Sequence, residues 1–138
     1  MSDPLEDLPP AGTLQNDDLL YVVQDGNSRK ASAGAFRQVP IRTATDSTTL
    51  AISDVYVRMT KSSANNCTVP ADADVAIPIG NQITVVASGT GKVTVVAGSG
   101  VSILTSETLK LRKRGSAVTL TKVDTNSWEL VGDVDLAT

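Results

Sequence analysis

The chain has no histidine, one cysteine and four aromatic side chains in 138 residues. Each scarcity excludes something. Without histidine, the usual general base and the commonest metal ligand are both missing. A Ser-His-Asp or Cys-His site is ruled out, as are zinc sites of ordinary composition. A lone Cys67 makes no intrachain disulfide. As a nucleophile it would need a basic partner to lower its pKa. Its setting, ANNCTVPA, reads instead as a small buried strand residue. The four rings are Tyr21, Phe36, Tyr56 and Trp128. They are too few to give the core the buried area that aromatics usually supply. Val, Ile, Leu and Ala must supply it, so each copy is expected to have a thin core and to gain from sister copies.

Long apolar runs are also lacking. None reaches the length of a bilayer-spanning helix. The opening MSDPLEDLPPAGT is acidic and proline-rich, with neither the basic start nor the apolar centre of a signal peptide. Twelve basic and fifteen acidic side chains leave a net charge of -3. That balance gives no bulk attraction to nucleic acid. Nucleic acid, membrane insertion, a small-molecule substrate, a metal and a cofactor are therefore not expected.

What is present is a chain in two parts. Residues 1–42 read as an extended N-terminal arm and a small attachment hairpin. Pro4, Pro9 and Pro10 discourage helix, and Leu5 and Leu8 are candidate anchors on a partner. LLYVV is a short strand, Asp25-Gly26 signals a hairpin turn and SRKA is the return strand. Ser32 is placed to cap one helical turn through Phe36 and Arg37. So small a unit cannot bury both faces of LLYVV. Leu19, Leu20, Tyr21, Val23 and Phe36 are thus expected at an interface with another domain or chain. Val39–Arg42 reads as a linker.

Residues 43–138 read as a β domain. Candidate strands are Thr49–Ile52, Val55–Thr60, Asn66–Val69, Gln82–Ala87, Lys92–Ala97, Val101–Leu104, Thr108–Arg112, Ala117–Val123 and Trp128–Val131. Short strands at this spacing predict an all-β fold: an antiparallel sandwich, barrel or prism-like meander. The most regular stretch is GNQITVVASGTGKVTVVAGSGVSIL, where ITVV recurs as VTVV ten residues on. Alternating β-branched residues suit strands. Gly89 with Gly91, and Gly98 with Gly100, read as tight reversals between local hairpin partners.

Chemistry-bearing patterns are few. Asp72 and Asp74 in PADADVA are the nearest thing to a carboxylate pair, in a turn where aspartate has ordinary local uses. The same stretch lacks the ligand spacing of an EF-hand. GTGKVT lacks the spacing of a phosphate loop and leads into a strand. KLRKRG at Lys110–Gly115 is the densest charge. It reads as a solvated edge that resists strand pairing, as a contact with acidic segments of another subunit, or as a nucleic-acid contact without stacking aromatics. Lys110, Arg112 and Arg114 are the interface candidates there.

Two stretches carry a resemblance. DLPPAGTLQNDDLLYVVQDGNSRKASAGAFR resembles the N-terminal element of many phage tail-fibre and related virion proteins. NNCTVPADADVAIPIGNQITVVASGTGKVTVVAGSGVSI, continuing to KLRKRGSAVTLTKVDTNSWELVGDV, is similar to a β module recurrent in phage structural proteins. The matching positions are Val69-Pro70, Pro78-Ile79-Gly80, Gly89 to Gly91, Gly98 to Gly100, Leu109 to Arg112, Trp128 and Gly132-Asp133. The resemblance implies a non-enzymatic homotrimer in the virion, made in the host cytoplasm and joined to other capsid or tail proteins. A short tail-fibre component and a capsid decoration (cement) protein both fit. The alternative is a carbohydrate- or receptor-binding module of a fibre or spike, for which Trp128 and Tyr56 would have to be exposed side by side.

Overall fold

A computed structural model describes residues 19–24, 27–32 and 38–137. The chain divides into two units, Met1–Val39 and Pro40–Thr138. In the first, β1 (Leu19–Gln24) pairs antiparallel with β2 (Asn27–Ser32). Gln24 lies opposite Asn27, and the turn expected at Asp25-Gly26 lies outside the described residues. The helical turn expected after Ser32 lies outside the described residues.

Every described element of the second unit is a strand. In order they are β3 (Ile41–Ala44), β4 (Thr48–Thr49), β5 (Tyr56–Met59), β6 (Asn65–Val69), β7 (Gln82–Ala87), β8 (Val93–Ala97), β9 (Ser102–Leu104), β10 (Ala117–Asp124) and β11 (Ser127–Gly132). They form a six-stranded sheet, β3-β5-β7-β10-β11-β9, and a three-stranded sheet, β4-β6-β8. Strands β3, β5 and β7 run parallel, as do β4, β6 and β8. The chain therefore crosses from one sheet to the other at each step and makes three coils. Hairpin β10-β11 then joins β7 antiparallel, and β9 runs parallel along the far side of β11.

This corrects the expected antiparallel meander. The fold is all-β, but its sheets are mixed, and β7 does not pair with β8. Each strand pairs with its counterpart in the previous coil. Tyr56 lies opposite Thr84 and Asn65 opposite Val93, both an offset of 28 residues, so the second and third coils superpose without insertion. Alternating apolar residues would suit a hairpin or a coil equally, because both bury the same side chains. The corners decide between them. Ser88 N–H and Gly89 N–H both donate to Met59 O, at 2.9 and 2.8 Å. Gly91 N–H donates to Lys61 O at 3.0 Å, and Asn65 N–H to Lys92 O at 2.9 Å. A Cβ on Gly89 would overlap the Thr60 and Lys61 carbonyls, and one on Gly91 would overlap that of Ser63. Neither glycine has a positive φ. They are glycines because one coil lies directly on the next. Gly100, at φ +79°, does supply a left-handed turn.

Three further boundaries move. The expected linker Val39–Arg42 contains the start of β3. Thr49–Ile52 shrinks to the two-residue β4. Thr108–Arg112 forms no strand but touches its neighbours through isolated bridges, Thr94 to Lys110 and Leu111 to Val134.

The core is one cluster drawn from both sheets and includes Leu50, Met59, Cys67, Ile83, Val95, Leu120 and Trp128. Cys67 is buried, as its sequence context predicts, and burial pushes its thiol pKa up to about 12. The outward row of the six-stranded sheet runs Ile41, Tyr56, Thr84, Thr119, Val131.

The coil arrangement predicts unequal glycine substitutions. Gly91→Ala is expected to cost about 2–3 kcal/mol, because backbone must move to admit the methyl. Gly100→Ala, with nothing within 4 Å, should cost only its backbone strain, about 1–2 kcal/mol. Urea denaturation measures both.

Candidate functional site

Three clamps hold the charged side chains that reach into or across the core. The first closes one end of the core. Arg42 continues the inward row of Val57, Val85 and Val118, where the next coil would offer another apolar residue. It turns to Asp54 instead: Nε donates to Oδ1 at 2.8 Å and Nη2 to Oδ2 at 2.7 Å. Nη1 donates to Thr48 Oγ1 at 2.9 Å, and Ala51 N–H donates to Asp54 Oδ2 at 2.8 Å. One guanidinium thus fixes β3, β4 and the turn before β5. Burial pushes the Asp54 carboxyl pKa up, but the Arg42 and Ala51 hydrogen bonds outweigh it and hold the group below its ordinary value.

The second clamp surrounds Lys122, which is 1% exposed. It occupies an inward position of β10, after Val118 and Leu120. Its Nζ donates to Asp72 Oδ1 at 2.5 Å and to Ile77 O at 2.8 Å, and lies 5.5 Å from the centre of the Trp128 ring. Gly80 N–H donates to Lys122 O at 2.7 Å. Asn126, in the left-handed turn between β10 and β11 (φ 50°), accepts from Asp72 N–H at 2.8 Å. The loop between β6 and β7 is fastened by these bonds.

The third clamp takes up the basic stretch. Arg112 Nε and Nη2 donate to the two oxygens of Asp133 at 2.7 and 3.0 Å, and Ser116 Oγ adds a bond of 2.6 Å. Lys92 pairs with Asp135 at 2.5 Å and donates to Arg112 O at 3.0 Å. Arg114 Nε donates to Ser88 O at 3.1 Å. Backbone bonds from Val95 N–H to Leu109 O and from Leu111 N–H to Val93 O lay the segment along β8. The acidic partner of this stretch is Asp133, on Arg112, and Asp135 pairs with Lys92.

The sequence-derived candidates fall out as follows. Leu5, Leu8 and Phe36 lie outside the described residues. Leu19, Leu20, Tyr21 and Val23 lie on β1, of whose side chains nothing is described. Lys110 is exposed, and Arg112 and Arg114 bond within the chain as above. Asp72 is the Lys122 partner, whereas Asp74 is exposed in the turn. Among the described residues no three His, Cys, Asp or Glu side chains cluster as metal ligands, and no helix is long and apolar enough to cross a membrane. An open cavity of about 540 Å³ beside β9 and β11 is lined by Leu104, Thr105, Ser106, Glu129, Leu130, Val131 and Gly132, and so contains one carboxylate. A smaller one of about 210 Å³ lies over the basic clamp, at Lys92, Arg112, Lys113 and Arg114. Arg42, Asp54 and Lys122 were not singled out from the sequence, although Lys122 announces itself as a charge in the apolar phase of AVTLTKV. No protein-family model, curated protein or solved structure matches the chain.

Two outcomes follow from the clamps. Asp72→Ala strands the Lys122 charge and is expected to cost about 2–4 kcal/mol. Lys122→Met combined with Asp72→Ala should recover most of that loss in urea denaturation. For Asp54, a depressed carboxyl adds stability that is present above its ordinary pKa of about 3.9 and lost as pH falls below it. The urea midpoint should stay flat from pH 7 to 5 and drop towards pH 2. Asp54→Asn should lower the midpoint at pH 7 and shrink the drop.

Proposed function

We propose that the chain is a non-enzymatic structural protein of a bacteriophage particle, assembled from copies of itself. Its N-terminal segment attaches it to capsid or tail proteins, as in the tail-fibre elements it resembles, where trimers are the rule. The role is that of a short fibre component or a capsid decoration protein. The observation that carries this reading is how the charged side chains are engaged. Asp54 and Asp133 each accept from a basic partner and from a backbone amide or a hydroxyl nearby, Asp72 accepts from Lys122 while its own N–H donates to Asn126, and Glu107 accepts from Ala137 N–H at 2.7 Å. These carboxylates hold loops and coil ends rather than face one another across a cleft. Resistance to deformation is what such bonding produces, and many weakly bound copies become firmly held through multivalency. The sugar-binding alternative needs an exposed aromatic platform, and Trp128 is 1% exposed beneath Lys122.

Immunogold labelling of intact particles, purified from a lysate of cells expressing the gene, tests the proposal. Gold at a fixed place on the particle is expected. Gold confined to the particle-free supernatant overturns it.

A further inference from the structure

The outward face of the six-stranded sheet is unlike a solvated one. Of the outward positions in its three cross-strand rows, only two carry charge, Arg58 and Glu129. The rest are threonines, Gln82, a small residue and apolar or aromatic side chains. Ile41, Leu104 and Val131 are 64%, 68% and 73% exposed. Depletion of charge, with apolar residues left in the open, marks a surface that is covered in use. Six strands about 4.8 Å apart and five residues of about 3.4 Å make a face of about 500 Å². Two such faces crossed at a right angle overlap over a square about 17 Å on a side, so a pair buries about 600 Å² in total, the size of a weak contact.

The two charges specify what covers it. Arg58 lies on β5, second from one edge, in the row of Val86. Glu129 lies on β11, second from the other edge, in the row of Thr121 and Gln82. They are three strands apart across the sheet and four residues apart along it, so about 14 Å in each direction. The line joining them therefore runs at about 45° to the strands. A symmetry axis lying along the face, perpendicular to that line, brings Arg58 of one copy to Glu129 of the next. Two copies stacked in this way cross their strands at about 90°, an established sheet packing. Three copies around the same axis satisfy the same pairs.

We infer that this face is where a second copy of the chain docks, with Arg58 of each copy paired to Glu129 of its neighbour. The inference rests on the reading that the chain works as an assembly of its own copies, and it names the surface. The test is the mass of the full chain by light scattering across micromolar concentrations, at low salt. The natural chain should be larger than a monomer. Arg58→Glu and Glu129→Arg should each weaken association at least tenfold, and the double exchange should restore it. Val131→Lys, at an exposed position on the same face, should also dissociate the assembly without lowering the melting temperature. If the natural chain associates but none of these variants alters it, the face is wrong and self-assembly stands. A natural chain that remains monomeric throughout overturns both. Dissociation by the single exchanges without rescue by the double overturns the pairing.

Discussion

Strand pairing at a distance of 28 residues is the constraint on which the second unit depends. Met59 O receives two amide donors, and Lys61 O a third, from a corner that lies one full coil later. Those bonds exist only if the corner backbones touch, and they touch only because Gly89 and Gly91 have no side chains. Once the corners are stacked, β7 lies on β5 and β8 on β6, with no freedom left in register. A slip of one residue would turn Val85 and Val95 outward and bring threonines into the core. The inward rows therefore follow from the corners.

Charge has a secondary but specific part in this arrangement. Buried ion pairs are weak sources of net stability, since desolvation offsets much of their attraction. Their effect here is to choose one position for segments that apolar burial leaves undetermined. The loop between β6 and β7 has Ile77 in the core but few other anchors. Lys122 reaches it at two points, Asp72 and the Ile77 carbonyl. The stretch after β9 has no strand of its own, and Arg112 with Lys92 ties it to the chain's last residues. In each case a long basic side chain adds to the backbone bonds that hold the segment.

Most elements were legible because burial alternates with period two. The residues of β6, β7, β8, β10 and β11 were marked as strands, and Cys67 and Trp128 sit in the core as their contexts suggest. Their partners were not legible. A ten-residue repeat with glycines in the gap satisfies the sequence signature of a hairpin, and periodicity does not say which apolar strand covers which. The true signal was subtler. Gly89 and Gly91 stand apart by one residue, as a stacked corner requires, whereas a two-residue hairpin needs its special residues adjacent. The clamps were legible in part. Lys122 breaks an apolar phase and so asks for a buried partner, while Arg42, in a stretch that reads as linker, and Asp54, between two candidate strands, give no such sign.

A coiled stack of parallel strands has no intrinsic end, since each sheet edge can template another strand. This one is stopped differently at its two ends. After β8 the chain re-enters the six-stranded sheet as β9, parallel to β7, but hairpin β10-β11 fills the place beside β7, so the parallel run ends there rather than in a fourth coil. The edge of β8 is covered by the segment carrying Leu109 and Leu111. At the opposite end, the last inward position is filled by Arg42, and a charged group there rejects a further apolar coil. Asp54 neutralises it from within the same turn, so the core is closed without inviting an extension along the stack. With both directions of growth blocked, the large surface left for association is sideways, on the broad sheet face, where charge is almost absent and its two charges are of opposite sign. The same sequence choices that limit the number of coils leave the flank as the surface on which the proposed association would occur.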